Sequence, residues 1–225
     1  MTGDNAKGSG GGSGEADNSG FIDSLFVENS SLLSELRQYA SENRVPILRP
    51  DSASLLATLT TLKSPAKILE CGTAIGYSAI LMAGASANAK IETVEIDPDA
   101  AEKARKNIDR AGLSDRIRVI LGDASEVLTA LSGRYDMIFL DSAKGQYIHM
   151  LDDVLRLLSP GGLLVADNCI FYGKIFDEPS LAPHKHRTIV ANMREFIRRV
   201  TCGDEFTGSL VNCGDGMVVA VRRTI

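Results

Sequence analysis

Residues 68–78 read Ile68-Leu69-Glu70-Cys71-Gly72-Thr73-Ala74-Ile75-Gly76-Tyr77-Ser78. A short aliphatic run passes into a two-glycine loop and then into a segment of helical period, so the stretch predicts strand, loop, helix. Gly72 and Gly76 let the backbone pass close to a ligand. The spacing is not the dinucleotide fingerprint, which needs glycine where Ala74 stands, and the loop is one residue longer. A close-fitting pyrophosphate turn is therefore not expected. A purely structural tight turn is the other reading of the same residues.

Downstream of Lys67 short aliphatic runs alternate with helical segments, the pattern of a parallel sheet covered by helices on both faces. Five strands are expected: Ile68 to Cys71, Ile91 to Glu95, Ile117 to Leu121, Met137 to Asp141 and Leu163 to Asp167. Between them run the apolar stripes Ala101, Ala104, Ile108, Ala111 and Tyr147, Met150, Leu151, Val154, Leu155, Leu158. A last helix uses Ile189, Met193, Phe196, Ile197 and Val200. Phe206 to Val211 and Met217 to Val221 then flank Cys213-Gly214-Asp215-Gly216, a hairpin signal that adds an antiparallel edge. Upstream, Leu32, Leu33, Leu36 and Tyr39 share one helical face. Val45-Pro46-Ile47-Leu48 is extended, and a cap at Asp51 leads into Leu55, Leu56, Leu59 and Leu62.

The chain has 225 residues, 44% hydrophobic and 24% charged, with a formal charge of −5. These values, with no apolar stretch near the ~18 residues of a membrane span, exclude fibrous, disordered and membrane-spanning classes. Seven of the 21 glycines fall in residues 1–20, which read as a flexible Gly/Ser-rich tail before a single domain at 21–225. No global basic field exists, so a nucleic-acid partner needs a local patch. Cys71, Cys169, Cys202 and Cys213 match no zinc or redox spacing. With no secretory pattern either, reduced thiols and a cytoplasmic location are expected.

In open α/β sheets ligands bind beyond the carboxyl ends of the strands. Glu95 lies 23 residues after Gly72, where a carboxylate accepts hydrogen bonds from a ribose diol; a surface Glu before the helix opened by Pro98 is the alternative. Gly122-Asp123-Ala124 ends the third strand. Asp123 there is either an acceptor for an adenine amino group, with the Ala124 N–H on a ring nitrogen, or a helix N-cap. Asp141-Ser142-Ala143-Lys144 and Asp167-Asn168 bring hard oxygen ligands and an amine to the same edge. Such oxygens suit magnesium or calcium better than zinc, and buried carboxylates need a cation or hydrogen bonds to balance them. Plain caps after strands are the bland reading.

Taken together, Glu70-x-Gly72-Thr73-x-x-Gly76-Tyr77-Ser78, Glu95, Gly122-Asp123-Ala124, Asp141-x-x-Lys144 and Asp167-Asn168 resemble the cation-dependent class I S-adenosylmethionine O-methyltransferases, over roughly residues 45–223. That family includes catechol, caffeoyl-CoA and bacterial tRNA 5-hydroxyuridine methyltransferases. The resemblance implies a Rossmann-like α/β sandwich with a seven-stranded sheet, order 3-2-1-4-5-7-6, strand 7 antiparallel. It implies that Glu70, Gly72 and Ser78 surround the methionine part of S-adenosylmethionine, Glu95 its ribose, and Asp123 with Ala124 its adenine, with Leu48 and Asp141 as further contacts. Asp141, Asp167 and Asn168 fall on the ligands of a divalent cation, Mg2+ by its chemistry, and Lys144 on the general base, with Asp141 beside it in the catalytic set. A lysine acts as a base only when deprotonated, so a depressed pKa is expected there. Relatives of this type are usually homodimers.

Two acceptors compete. The residue before the lysine is Ala143 and the chain has no Trp, unlike the mammalian catechol enzyme. Val45-Pro46-Ile47, residues 72–78, Ala143-Lys144-Gly145-Gln146-Tyr147, Asp167-Asn168-Cys169-Ile170-Phe171 and Gly214-Asp215-Gly216 are closer to the tRNA group. A tRNA anticodon loop is the first expectation and a small-molecule phenolic substrate the second. From Phe171 to Val200, Lys174, Lys185, Arg187, Arg194, Arg198 and Arg199 outnumber the acids by three, with His184 and His186 alongside. They form either an RNA-facing patch or a solvated helix face.

Overall fold

The computed structural model describes residues 21, 24–28, 30–176 and 183–224. The tail expected at 1–20 lies outside them. The elements are α1 (Ser31–Asn43), α2 (Pro50–Lys63), β1 (Lys67–Cys71), α3 (Tyr77–Ala85), β2 (Lys90–Glu95), α4 (Pro98–Arg110) and β3 (Ile117–Leu121). They continue with α5 (Ala124–Ala130), β4 (Tyr135–Leu140), α6 (Tyr147–Leu157), β5 (Leu158–Ala166), α7 (His184–Cys202), β6 (Phe206–Val211) and β7 (Met217–Arg222). The strands form one seven-stranded sheet, order β3-β2-β1-β4-β5-β7-β6. β1 to β5 run parallel, and β7 pairs antiparallel with both β5 and β6.

Strand alternation sorts the core into two layers. Met137 and Phe139 of β4, with Leu163 and Val165 of β5, meet Leu36, Leu56, Ile80, Met82 and Ile108 of α1 to α4 on one face. Ile138, Leu140, Leu164 and Ala166 meet Leu128, Leu151, Val154, Met193 and Phe196 of α5 to α7 on the other. Burial on both faces explains why the central strands carry unbroken aliphatic runs.

Three helix details differ from the sequence reading. Arg49, not Asp51, is the N-cap of α2, because Pro50 occupies the first helical position. The Asp51 carboxylate instead accepts the Gly214 N–H at 2.6 Å, tying α2 to the β6–β7 turn. The buried stripe of α2 is Ser52, Ala53, Leu56 and Thr60; of the four expected leucines Leu56 is buried, Leu55 and Leu59 are half-buried against the core, and Leu62 is exposed. Small side chains let this helix lie close to its neighbours, and the Thr60 hydroxyl donates to the Leu56 carbonyl at 2.7 Å, so its burial costs little. Tyr39 of α1 is likewise partly exposed, its place on the inner face taken by Ala40.

Parallel register aligns the carboxyl ends. Cys71 pairs with Val94 and Leu140, Leu140 with Ala166, and Glu95 with Leu121. The ladder continues one residue beyond four strands: Gly72 N–H donates to Val94, Gly122 to Glu95, Asp141 to Cys71 and Asp167 to Leu140, at 2.8–2.9 Å. Strand order reverses between β1 and β4, which opens the crevice in which such sheets bind ligands.

Candidate active site

At that crevice Gly72 has φ +103°, and a Cβ there would lie 2.1 Å from the Asp141 carbonyl oxygen. Only glycine permits this approach, and with it the space between the first and fourth strand ends. A cavity of about 620 Å³ opens above, within the range of small-molecule and cofactor sites. Leu48, Gly72, Ser78, Glu95, Asp123, Ala124 and Asp141 all line it.

Glu70 does not reach the cavity surface: it is fully buried below the glycine loop. Its carboxylate accepts the Thr93 hydroxyl at 2.6 Å, and Thr93 in turn meets the Thr73 hydroxyl at 2.6 Å. One carboxylate oxygen has no partner. Burial pushes its pKa up to about 7, against hydrogen bonds from Ser78 and Thr93 that favour the charged form. Glu95 shapes the loop from the next strand, accepting the Ala74 N–H at 2.8 Å and the Asp97 N–H at 3.0 Å. These two backbone donors leave lone pairs on both oxygens. Asp123 caps α5 through the Ser125 N–H at 2.8 Å and the Ser125 hydroxyl at 2.5 Å, and these bonds hold it below the usual carboxylate range. The helix-cap reading thus holds for Asp123, while its position on the cavity wall keeps the adenine reading open.

A second cavity of about 90 Å³ adjoins the first, lined by Pro46, Ile47, Arg49, Ser52, Asp141, Asp167, Asn168 and Asp215. Asp141, Pro46 and Ile47 border both. Lys144 Nζ donates to Asn168 Oδ1 at 2.9 Å, and Asn168 Nδ2 donates to Asp141 Oδ1 at 3.2 Å. Asn168 adopts φ +60°, which turns its amide between the two. Burial and the Asp167 and Glu70 charges raise the Asp141 pKa well above the usual value; burial likewise raises Asp167, reinforced by Asp215 and Asp51. Asp167 Oδ1 and Asp215 Oδ2 are buried without hydrogen-bond partners, although the latter stands 4.0 Å from Lys144 Nζ. Among the described residues no three His, Cys, Asp or Glu side chains cluster to hold a metal. The set here is two carboxylates and an amide oxygen. Mutually repelling carboxylates with an orphaned oxygen fit a hard divalent cation.

Asp215 is the part that sequence reasoning missed, since Gly214-Asp215-Gly216 read as a hairpin turn and as part of the family resemblance, with no site role for the carboxylate. Its Oδ1 accepts the Tyr172 N–H at 2.6 Å, and its carbonyl accepts the Ile170 N–H at 2.7 Å. Phe171 and Tyr172 sit at φ +51° and +54°, costly values for non-glycine residues. Nothing in their side chains announces this. The basic patch is thinner than its composition: Arg199 is tied to Asp152 at 2.6 Å and Glu205 at 3.2 Å. His186 packs edge-on against Phe171, ring centroids 5.5 Å apart. No described helix is long and apolar enough to cross a membrane.

A sequence model described as O-methyltransferase matches residues 23–223. The chain is 40% identical over 167 residues to the catechol O-methyltransferase of Niastella koreensis, covering 72% of this chain and 76% of that protein. The O-methyltransferase of Bacillus cereus, solved in complex with SAH, superposes with a TM-score of 0.79 at 25% identity, covering 91% of this chain and 96% of its own. TomG of Streptomyces achromogenes, an O-methyltransferase involved in tomaymycin synthesis and solved with SAM, gives 0.79 at 26% identity, over 91% and 95%.

Proposed function

The chain belongs to the O-methyltransferase family, and we propose that it moves the methyl group of S-adenosylmethionine to the 5-hydroxyl of 5-hydroxyuridine in a tRNA anticodon loop, at the wobble position, giving 5-methoxyuridine. The observation that carries this reading is the pair of adjoining cavities that share Asp141, with Lys144 hydrogen-bonded into the wall between them through Asn168. The larger cavity takes the cofactor: Asp123 and Ala124 at the adenine, Glu95 at the ribose, Leu48, Gly72, Ser78 and Asp141 along the remainder, and Glu70 beneath the methionine part. The smaller takes the acceptor oxygens.

Asp141, Asp167 and Asn168 would hold a divalent cation, Mg2+ by their chemistry, which would acidify a hydroxyl and align it with an adjacent oxygen. The 5-hydroxyl and 4-carbonyl of 5-hydroxyuridine are such a pair. Lys144 takes the hydroxyl proton. The acceptor oxygen then bonds to the methyl carbon as the carbon–sulfur bond breaks, and that electron pair stays on sulfur. Asn168 holds Lys144 in place for this by accepting from Nζ. Gly72 lets the two reactants meet, because any side chain there would fill the gap at Asp141.

A small phenolic acceptor is the second reading, favoured by the 40% identity to a catechol O-methyltransferase. A catechol presents the same two adjacent oxygens. Replacing Lys144 by Ala should lower turnover by roughly 10²- to 10⁴-fold, with cofactor affinity by calorimetry unchanged. Undiminished turnover would remove Lys144 from the mechanism.

A further inference from the structure

Tyr172 is 75% exposed, yet its backbone is held in a left-handed turn with Phe171 and Gly173 at φ +51°, +54° and +79° along the three residues. The turn is clamped by Asp215 through the Tyr172 and Ile170 N–H groups, and by Gly216 through the Cys169 N–H at 2.7 Å. In this turn the Tyr172 ring centroid lies 5.2 Å from Lys144 Nζ and 5.8 Å from Lys174 Nζ. Lys174 also stands 4.7 Å from the ring centroid of buried Phe171, which backs Tyr172 at 6.0 Å. An exposed aromatic face beside the proposed base, with the Lys174 ammonium next to it, has the composition of a single-stranded RNA reader: a ring to stack a splayed base and a cation for its phosphate.

We infer that Tyr172 and Lys174 form the binding platform for the target nucleotide, Tyr172 stacking on the pyrimidine presented to Lys144 and Lys174 meeting an adjacent phosphate. The inference rests on the tRNA reading above and names its recognition element. It makes this turn a discriminator between a nucleotide in a strand and a free phenol, which has no phosphate to offer.

The test uses methyl transfer to tRNA carrying 5-hydroxyuridine, with catechol run in parallel. Tyr172→Ala should raise the KM for tRNA by about tenfold or more, the scale of one lost base–aromatic stack, while kcat at saturating tRNA and S-adenosylmethionine affinity stay within about twofold. Tyr172→Phe should restore the KM, because stacking needs the ring and not the hydroxyl. Lys174→Ala should make the KM for tRNA less dependent on salt, by about one phosphate contact. An unchanged KM in Tyr172→Ala, or a fall in kcat and cofactor affinity without a change in KM, would overturn the platform while leaving the tRNA reading intact. Methylation of catechol with none of tRNA would overturn both.

Discussion

Gly72 and Glu70 stand two residues apart at the end of β1 and constrain the site in different ways. Gly72 acts through space. In Gly72→Ala the new Cβ would meet the Asp141 carbonyl oxygen at 2.1 Å, at a φ that alanine avoids. A loss of about 2–4 kcal/mol in urea unfolding and loss of cofactor binding are expected; wild-type values for both would contradict the close approach. Glu70 acts through charge. Its folded pKa of about 7 lies above the ordinary 4.5 of a free glutamate, so between those pH values the folded chain binds more protons than the unfolded one. Stability from this group is therefore complete below pH 4.5, declines as pH rises, and is flat again above pH 7. The total is on the order of 3 kcal/mol. Glu70→Gln should abolish this share of the decline, seen as a smaller difference between unfolding at pH 5 and pH 8 than in the parent; an equal difference would contradict a proton on Glu70. The strand-end residues were legible because their types and spacing carry the signal. That Glu70 lies under the cavity rather than on its wall was not, since strand alternation sets its face but not how the loop covers it.

At the scale of elements, the turn after β5 and the β6–β7 hairpin act as one piece, joined by Asp215. Asp215→Ala removes the acceptor of the Tyr172 N–H and the carboxylate 4.0 Å from Lys144. The variant should lose about 1–3 kcal/mol of stability from the unmade hydrogen bond, and its kcat/KM for the acceptor should fall at least tenfold. Cofactor affinity should not change, because Asp215 does not line the larger cavity. Asp215→Asn keeps an oxygen for the N–H and should recover most of the stability; failure to recover would point to the charge rather than the bond. The hairpin itself was readable from its glycines, whereas its grip on a turn 43 residues earlier is a tertiary contact with no local trace. The cap of α2 shows the same limit: Asp51 has the right chemistry for an N-cap, but Pro50 claims the first helical position and Gly214 claims the carboxylate.

Across the whole molecule, a parallel sheet with an antiparallel ending was legible from the alternation of strand and helix, while the strand order followed only from the family resemblance; that order brings Gly72, Glu95, Gly122, Asp141 and Asp167 to one edge. Net charge was less informative. The −5 total hides a basic stretch, and within that stretch Arg199 already has acidic partners, so counting charges overstated what is free to meet RNA. Both the tRNA and the phenolic readings place two adjacent oxygens at Asp141, Asp167 and Asn168 in the small cavity, so only transfer assays separate them. The most direct measurement is transfer of a labelled methyl group from S-adenosylmethionine to tRNA carrying 5-hydroxyuridine, run beside tRNA carrying unmodified uridine and beside catechol, each with Mg2+ and with a chelator. The expected result is label in the 5-hydroxyuridine tRNA, none in the unmodified tRNA, and loss of transfer on chelation. Transfer that ignores the chelator would contradict the role of the two aspartates and Asn168, and label in catechol alone would contradict the tRNA acceptor.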